Sequence, residues 1–446
     1  MTKIALVGAG SAVFTKGLVA DLIARGEETT IGLVDPDPVA LEVATGLATK
    51  MIRSRNAPIQ LESSTARDDV FPGADAIICT VGVGGRKAWL ADVRIPRQYG
   101  IYQPVGDTIM PGGLSRALRM IPAMVDIASD MLRLCPHALF FNYGNPMSAV
   151  CRGVRKATGA PVIGLCHGVF HVAATIARVL GVDVASLRYT AVGINHLTWF
   201  TEVRSAGRNL MPALREYGRA KLEELFDGAA LPNNGATAPT ANPASWLLLE
   251  TFGAFPAVLD RHVCEFFPHL YSREGAYFGK TLGTDCFSLE RTIEDGDEAF
   301  AEMQAIASGR VEIPDEYFDR SSGEHEQVVE IIDSIRADRG TIYSANLPNK
   351  GQVPNLPADA VVESPVTADG SGLRAIQQPP LTPGVAGTLQ RPFAAVEAIV
   401  GAALSGSREE FVQALLIDGS VQGHREAGRL ADELLAVHAE HLPQFA

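Results

Sequence analysis

A run of apolar residues, Ile4 to Val7, passes directly into Gly8-Ala9-Gly10-Ser11 and then into an amphipathic stretch from Val13 to Ala24. Strand, glycine turn and helix in that order constrain the fold more than any other feature. The turn lets backbone approach a pyrophosphate, and the helix start offers free N–H groups and the positive end of its dipole. Val13 stands where a third glycine of the motif would allow close helix packing. A second apolar run, Ile31 to Val34, ends at Asp35, 25 positions after Gly10. That is close to the spacing at which a carboxylate accepts hydrogen bonds from an adenosine ribose, which favours NAD over NADP. Two further apolar runs, Ala76 to Val81 and His137 to Phe141, end in GVGG and NYGNP. Strand ends of this kind are where open parallel sheets bind ligands, so Gly82 and Asn145 join the candidates for cofactor contact.

Composition narrows the function. With 446 residues and 47% hydrophobic content the chain can bury a large core and fill two or three domains. A net charge of -13, without any basic block, argues against a nucleic-acid partner. No apolar run reaches the length of a membrane helix, and the N-terminus enters its first strand without a signal-peptide pattern, so a cytoplasmic location is expected. Six cysteines without CxxC spacing fit reduced thiols.

Alternation of helices and strands continues through VIGLCHG and YTAVGINHLTWF, after which the composition changes. The expected fold is α/β: a Rossmann-like, doubly wound parallel sheet over residues 1–195, of the lactate/malate dehydrogenase kind. An α+β domain for substrate, metal and oligomerisation should follow over 196–446. Within it we expect a helix over Leu210–Phe226, a loop or lid over Leu231–Pro243 and a helix over Ser245–Phe252. DAVVES should form a strand, and two helices, Phe393–Leu404 and Arg408–Leu416, should close the chain.

Cys166 in GLCHG and His196 in GINHL each follow a strand pattern. Alone, such a cysteine reads as buried core and such a histidine as a hydrogen-bonding residue. As a pair beside a dinucleotide fold, a thiolate and an imidazole suit a divalent transition metal, with positions left open for substrate hydroxyls. His167 and His171 add polarity at the same strand end. Asn145, before a proline, is either a turn former or a substrate contact. Asp107 in VGDT, before PGG, lies in a glycine-rich loop that either contacts cofactor or substrate or needs no function. Asp260, His262 and Glu265 form a polar cluster among aromatics, a setting that shifts pKa values, with a solvated helix end as the plainer reading.

KIALVGAGSAVFTKGLVADLI, VGDTIMPGG, NYGNPMS, GLCHG, GINHLTWF, RHVCEFFP and NKGQVPNLPADAVVESP occur in this order between residues 3 and 365. In this set the chain resembles the family 4 glycoside hydrolases, which depend on NAD and a divalent metal such as Mn²⁺. The resemblance implies Cys166 and His196 as metal ligands, with Asn145 and His167 touching sugar hydroxyls and Gly8, Gly10, Ser11 and Asp35 touching the cofactor. It also implies an unusual glycosidase route: oxidation at carbon 3, proton loss at carbon 2, elimination of the aglycone, water addition and re-reduction. Asp260 is the candidate base and His262 the runner-up. Val13-Phe14-Thr15, in place of a Thr-Pro pair, points to an unphosphorylated α-glycoside. DRHVCEFFP leans toward an α-galacturonide or other α-uronide, whose carboxylate Arg261 could pair, with an α-galactoside or α-glucoside as the alternative. A homodimer or homotetramer is implied by resemblance alone. An NAD-dependent hydroxy-acid dehydrogenase is the rival class, predicting net NADH and no metal requirement. A catalytically silent sugar- or NAD-binding protein is a third.

Overall fold

The computed structural model describes residues 2–227, 242–271, 275–318 and 327–446. Six parallel strands form its first half: β1 (Thr2–Val7), β2 (Thr29–Val34), β3 (Ile59–Ser64), β4 (Ala76–Cys79), β5 (Leu139–Asn142) and β6 (Ile163–Gly164), ordered β6-β5-β4-β1-β2-β3. The order reverses between β1 and β4, the switch point at which doubly wound sheets bind dinucleotides. These strands read as unbroken apolar runs because helices cover both faces. Ala5 and Val7 of β1 face a core built with the helices Met110–Leu134, Met147–Thr158 and Pro383–Ser405, while Ile4 and Leu6 face one built with Ala12–Arg25, Pro38–Ser54 and Leu289–Ala307.

The expected Rossmann-like order is therefore present, but the sheet does not stop with it. β7 (Leu187–Ile194), β8 (Leu197–Ser205), β9 (Arg208–Asn209) and β10 (Phe255–Ala257) continue it, and a separate short hairpin joins β11 (Ala276–Tyr277) to β12 (Lys280–Thr281). β13 (Thr341–Pro348), β14 (Val361–Asp369) and β15 (Gly372–Ala375) return from late in the chain. β13 pairs antiparallel with β6, and β14 pairs with both β13 and β7, so the sheet runs on as β6-β13-β14-β7-β8-β10. A boundary at 195/196 falls in the two-residue turn between β7 and β8.

The helices expected over 210–226 and 245–252 are Met211–Phe226 and Pro243–Phe252, and DAVVES lies largely within β14. The suggested lid over 231–243 falls almost wholly outside the described residues. At the C-terminus the two expected helices are longer, Pro383–Ser405 and Arg408–Asp418, and a third, His424–Val437, follows them. That third helix is tied to the dinucleotide fold. His438 Nε2 lies 2.8 Å from Asp92 Oδ1, and Asp92 also pairs with Arg119, both of these side chains being fully buried.

Candidate active site

The glycine turn is built as its sequence implies. Gly8 sits at φ +87°, and a Cβ there would lie 2.9 Å from the Thr80 carbonyl carbon and the Val81 nitrogen, so no larger residue fits between the β1 and β4 ends. Asp35 Oδ2 accepts the Gly10 N–H at 2.8 Å, locking the turn to the end of β2. Ser11 begins the helix Ala12–Arg25 without a side-chain cap, so the free N–H groups of that first turn are left for a ligand. Ser11 and Gly82 line a cleft of about 630 Å³ that also holds Asn145, Cys166, His167, His196, Arg261 and His262. Eight of the candidates, from six separate strand ends and turns, are thus brought to one cavity, with Ser11 of the glycine turn at its wall.

His196 occupies the β7–β8 turn at φ +67°, a conformation that costs a side-chain-bearing residue about 1 kcal/mol or more and that clusters at functional sites. Its Nδ1 lies 2.7 Å from Thr108 Oγ1. That hydroxyl gives its single hydrogen to Asp107 Oδ1 at 2.6 Å, so it must accept from His196. The tautomer is thereby set with hydrogen on Nδ1 and a lone pair on Nε2, the form that binds a metal. Burial pushes the imidazole down to about 4, which also keeps it neutral. Asp107 receives a second hydrogen bond, from Asn145 Nδ2 at 2.8 Å. His262 packs against His196 with ring centres 4.0 Å apart, and its buried Nδ1 has no hydrogen-bond partner among the described residues and lies 3.9 Å from Asp107 Oδ1. Burial, with His196, Arg261 and His167 nearby, holds it well below the usual histidine value.

Ligand atoms of Asp107, His196 and His262 all lie within 4.8 Å of one another, a spacing that fits a divalent cation. Cys166 stands outside that group but opens on the same cleft, at the start of the helix Gly168–Leu180, where its Sγ accepts the Gly168 N–H at 3.4 Å. A helix N-terminus favours the thiolate that a metal would need.

Asp260 is placed differently. It is fully buried and does not line the cleft. Oδ1 accepts the Ser245 N–H (2.7 Å) and hydroxyl (2.5 Å), while Oδ2 accepts the Ala244 N–H (2.7 Å) and the Tyr277 hydroxyl (2.6 Å). The carboxylate therefore anchors the first turn of the helix Pro243–Phe252. Burial nonetheless lifts it to about 6, outweighing four donors that favour the charged form. Glu265 is also buried: its Oε1 accepts the Val105 and Gly106 N–H groups at 2.8 and 2.7 Å, fixing the loop that carries Asp107. Burial and the Asp107 charge hold its carboxyl well above the usual range. Behind the β7–β8 turn, Glu363 Oε2 accepts from Asn195 Nδ2 and Thr198 Oγ1, both at 3.1 Å. Thr108 and Glu363 were not singled out from the sequence. A hydroxyl next to Asp107, and an acid in a buried strand, are the only signals that could have found them.

Comparison with known proteins agrees with this architecture. Residues 3–182 match the family 4 glycosyl hydrolase model and residues 191–421 match the family 4 C-terminal domain. An alpha-galactosidase of Rhizobium meliloti is 31% identical, covering 100% of this chain and 90% of that protein. An alpha-galacturonidase of Bacillus subtilis is 30% identical over 97% of this chain and 96% of its own length. Among solved structures, a putative glucosidase, lplD, from Bacillus subtilis superposes with a TM-score of 0.87 at 28% identity, covering 98% and 100% of the two chains. A 6-phospho-alpha-glucosidase from gut microorganisms, in complex with NAD and Mn²⁺, shares the fold at a TM-score of 0.84 and 18% identity over the full length of both. With both family models matched across most of its length, the chain belongs to family 4 of the glycosyl hydrolases.

Proposed function

We propose that this chain hydrolyses an unphosphorylated α-glycoside, with an α-galacturonide or related α-uronide preferred, and that it uses NAD and Mn²⁺ or a similar ion to do so. One observation carries the reading: Asp107, Asn145, Cys166, His196 and His262 converge on a single cleft that Ser11, at the end of the glycine turn, also lines. Relatives named for α-galactosidase and α-galacturonidase activity, at 31% and 30% identity, support the substrate class.

In this reading Gly8, Gly10 and Ser11 cradle the pyrophosphate and Asp35 faces the adenosine ribose. Gly82 and Asn145 flank the nicotinamide. When bound, NAD supplies a reversible hydride acceptor at the sugar's carbon 3, and the cation supplies Lewis-acid polarisation of the oxygens at carbons 2 and 3. His196 and Cys166, with Asp107, hold the cation. Asn145 and His167 orient the sugar hydroxyls. His262, neutral and with a buried Nδ1 facing the cluster, takes the proton from carbon 2, while Asp260 holds the segment that presents it. Arg261, also in the cleft, can pair with a carboxylate at carbon 6. A cytoplasmic setting and a homodimer or homotetramer complete the proposal; among the described residues no helix is long and apolar enough to cross a membrane.

The test is release of nitrophenol from 4-nitrophenyl α-galacturonide, α-glucuronide, α-galactoside and α-glucoside, with NAD⁺, Mn²⁺ and reductant each omitted in turn. The expected result is cleavage that needs all three, is fastest on a uronide and accumulates no NADH. Net NADH without nitrophenol would make the protein a dehydrogenase.

A further inference from the structure

Three arginines open on the cleft, and their charges are met in different ways. Arg291 lies exposed at the rim and pairs with Asp295 at 3.0 Å. Arg261 stands beside the histidine cluster, where its charge helps to hold both His196 and His262 neutral. Arg116, on the helix Met110–Leu134, is half-buried, and desolvation pulls its guanidinium below the usual arginine value. Asp107 and Asp92 reach it only through space, not by hydrogen bonds.

The group is nevertheless held in place. Its Nε donates to the Asn145 carbonyl at 3.0 Å, and its Cζ lies 5.7 Å from the centre of the Trp89 ring. Trp89 is fixed in turn by its indole N–H, which donates to the Val105 carbonyl at 2.7 Å. Nη2 comes within 3.6 Å of the point that a Gly82 Cβ would occupy, beside the end of β4. Arg116 therefore presents its two terminal nitrogens as a preorganised fork, anchored along one edge and backed by an aromatic face, next to Asn145 and Asp107.

We propose that Arg116, in the same cleft as Arg261, offers its fork to the substrate's carbon 6 carboxylate and so shares with Arg261 the selection of a uronide over a neutral glycoside. This rests on the uronide reading above. A planar carboxylate matches the fork, whereas a hydroxymethyl group in its place would leave the guanidinium's terminal N–H groups without a charged acceptor in hydrogen-bond contact, so the same residue attracts one substrate and penalises the other. The dinucleotide's phosphates are the other anions that could reach such a fork, and the test separates the two sources.

R116Q and R116K are compared with wild type for kcat/KM on 4-nitrophenyl α-galacturonide and α-galactoside, for inhibition by galacturonate and galactose, and for NAD⁺ affinity. The galacturonide-to-galactoside ratio is expected to fall about 10- to 150-fold in R116Q, the range for one charged hydrogen-bonded contact. R116K, which keeps the charge and loses the fork, should fall between the two, and NAD⁺ affinity should stay within about threefold of wild type. A ratio unchanged in both variants overturns the proposal. A loss of NAD⁺ affinity matching the loss of activity overturns it in favour of a cofactor contact. Should R116Q fold poorly, R116K and the wild-type preference for galacturonate over galactose still decide. A wild-type enzyme that cleaves only neutral glycosides and binds galacturonate no better than galactose overturns the uronide reading as well.

Discussion

Replacing Asp260 separates a supporting residue from a catalytic base. In Asp260→Ala four buried donors lose their acceptor: the Ala244 and Ser245 N–H groups and the Ser245 and Tyr277 hydroxyls. The hydroxyls can turn to other partners, but the two N–H groups cannot. Each buried donor left unmet costs about 1–3 kcal/mol, so the loss should be about 3–5 kcal/mol. Asp260→Asn keeps one carbonyl oxygen and sets an NH₂ against a donor, for a loss of about 1–3 kcal/mol. A pH dependence follows. Burial places the folded carboxyl at about 6, against about 3.9 unfolded, so about 3 kcal/mol of stability is present below pH 4 and is lost as pH rises through 6. Asp260→Asn lacks that loss, and its deficit relative to wild type should shrink between pH 4.5 and 7.5. Urea unfolding followed by tryptophan fluorescence measures both quantities, with hydrolysis assayed on the same samples. An Asp260→Asn variant as stable as wild type at both pH values, yet reduced about 10³-fold or more in kcat, would refute the supporting role and restore Asp260 as the base.

Gly8→Ala should cost about 2–4 kcal/mol, from its positive φ and a Cβ pressed on the Thr80–Val81 backbone, and should weaken NAD⁺ binding in a titration. Asp92→Ala strands the buried Arg119 charge and frees His438, and a loss of about 3–5 kcal/mol in urea unfolding is expected. Cys166→Ser should weaken Mn²⁺ binding about 10-fold or more, read by electron paramagnetic resonance. Unchanged affinity there, together with loss in His196→Ala, would confine the ion to Asp107, His196 and His262.

The parallel half of the sheet was legible because each strand is an apolar run closed by glycine or asparagine, and buried parallel strands need no alternation. The antiparallel extension was not, since the pairing of β13 with β6 joins Asn346 to Gly164 across 182 residues and no local pattern encodes it. Cys166, His196 and Asn145 stood out because strand ends carry ligands in this architecture. Asp107 stayed open between a cofactor or substrate contact and an ordinary loop residue, because the Glu265 that holds that loop in shape lies 160 positions from Val105. The polar cluster at 260–265 was visible, but its division of labour was not: in one short segment Asp260 and Glu265 turn toward backbone N–H groups while His262 turns to the cleft. The helix His424–Val437 was missed although its amphipathic face is present, because its anchor is the distant Asp92.

Hydrolysis of 4-nitrophenyl α-galacturonide in D₂O, with NAD⁺ and Mn²⁺, followed by NMR of the released sugar, tests the central claim most directly. Loss and return of the carbon 2 proton predicts deuterium at carbon 2 of the released sugar from the first turnover onward, while unreacted substrate stays unlabelled. A product with no deuterium at carbon 2, formed at the same rate with NAD⁺ omitted, would contradict the account and require a direct displacement at the anomeric carbon.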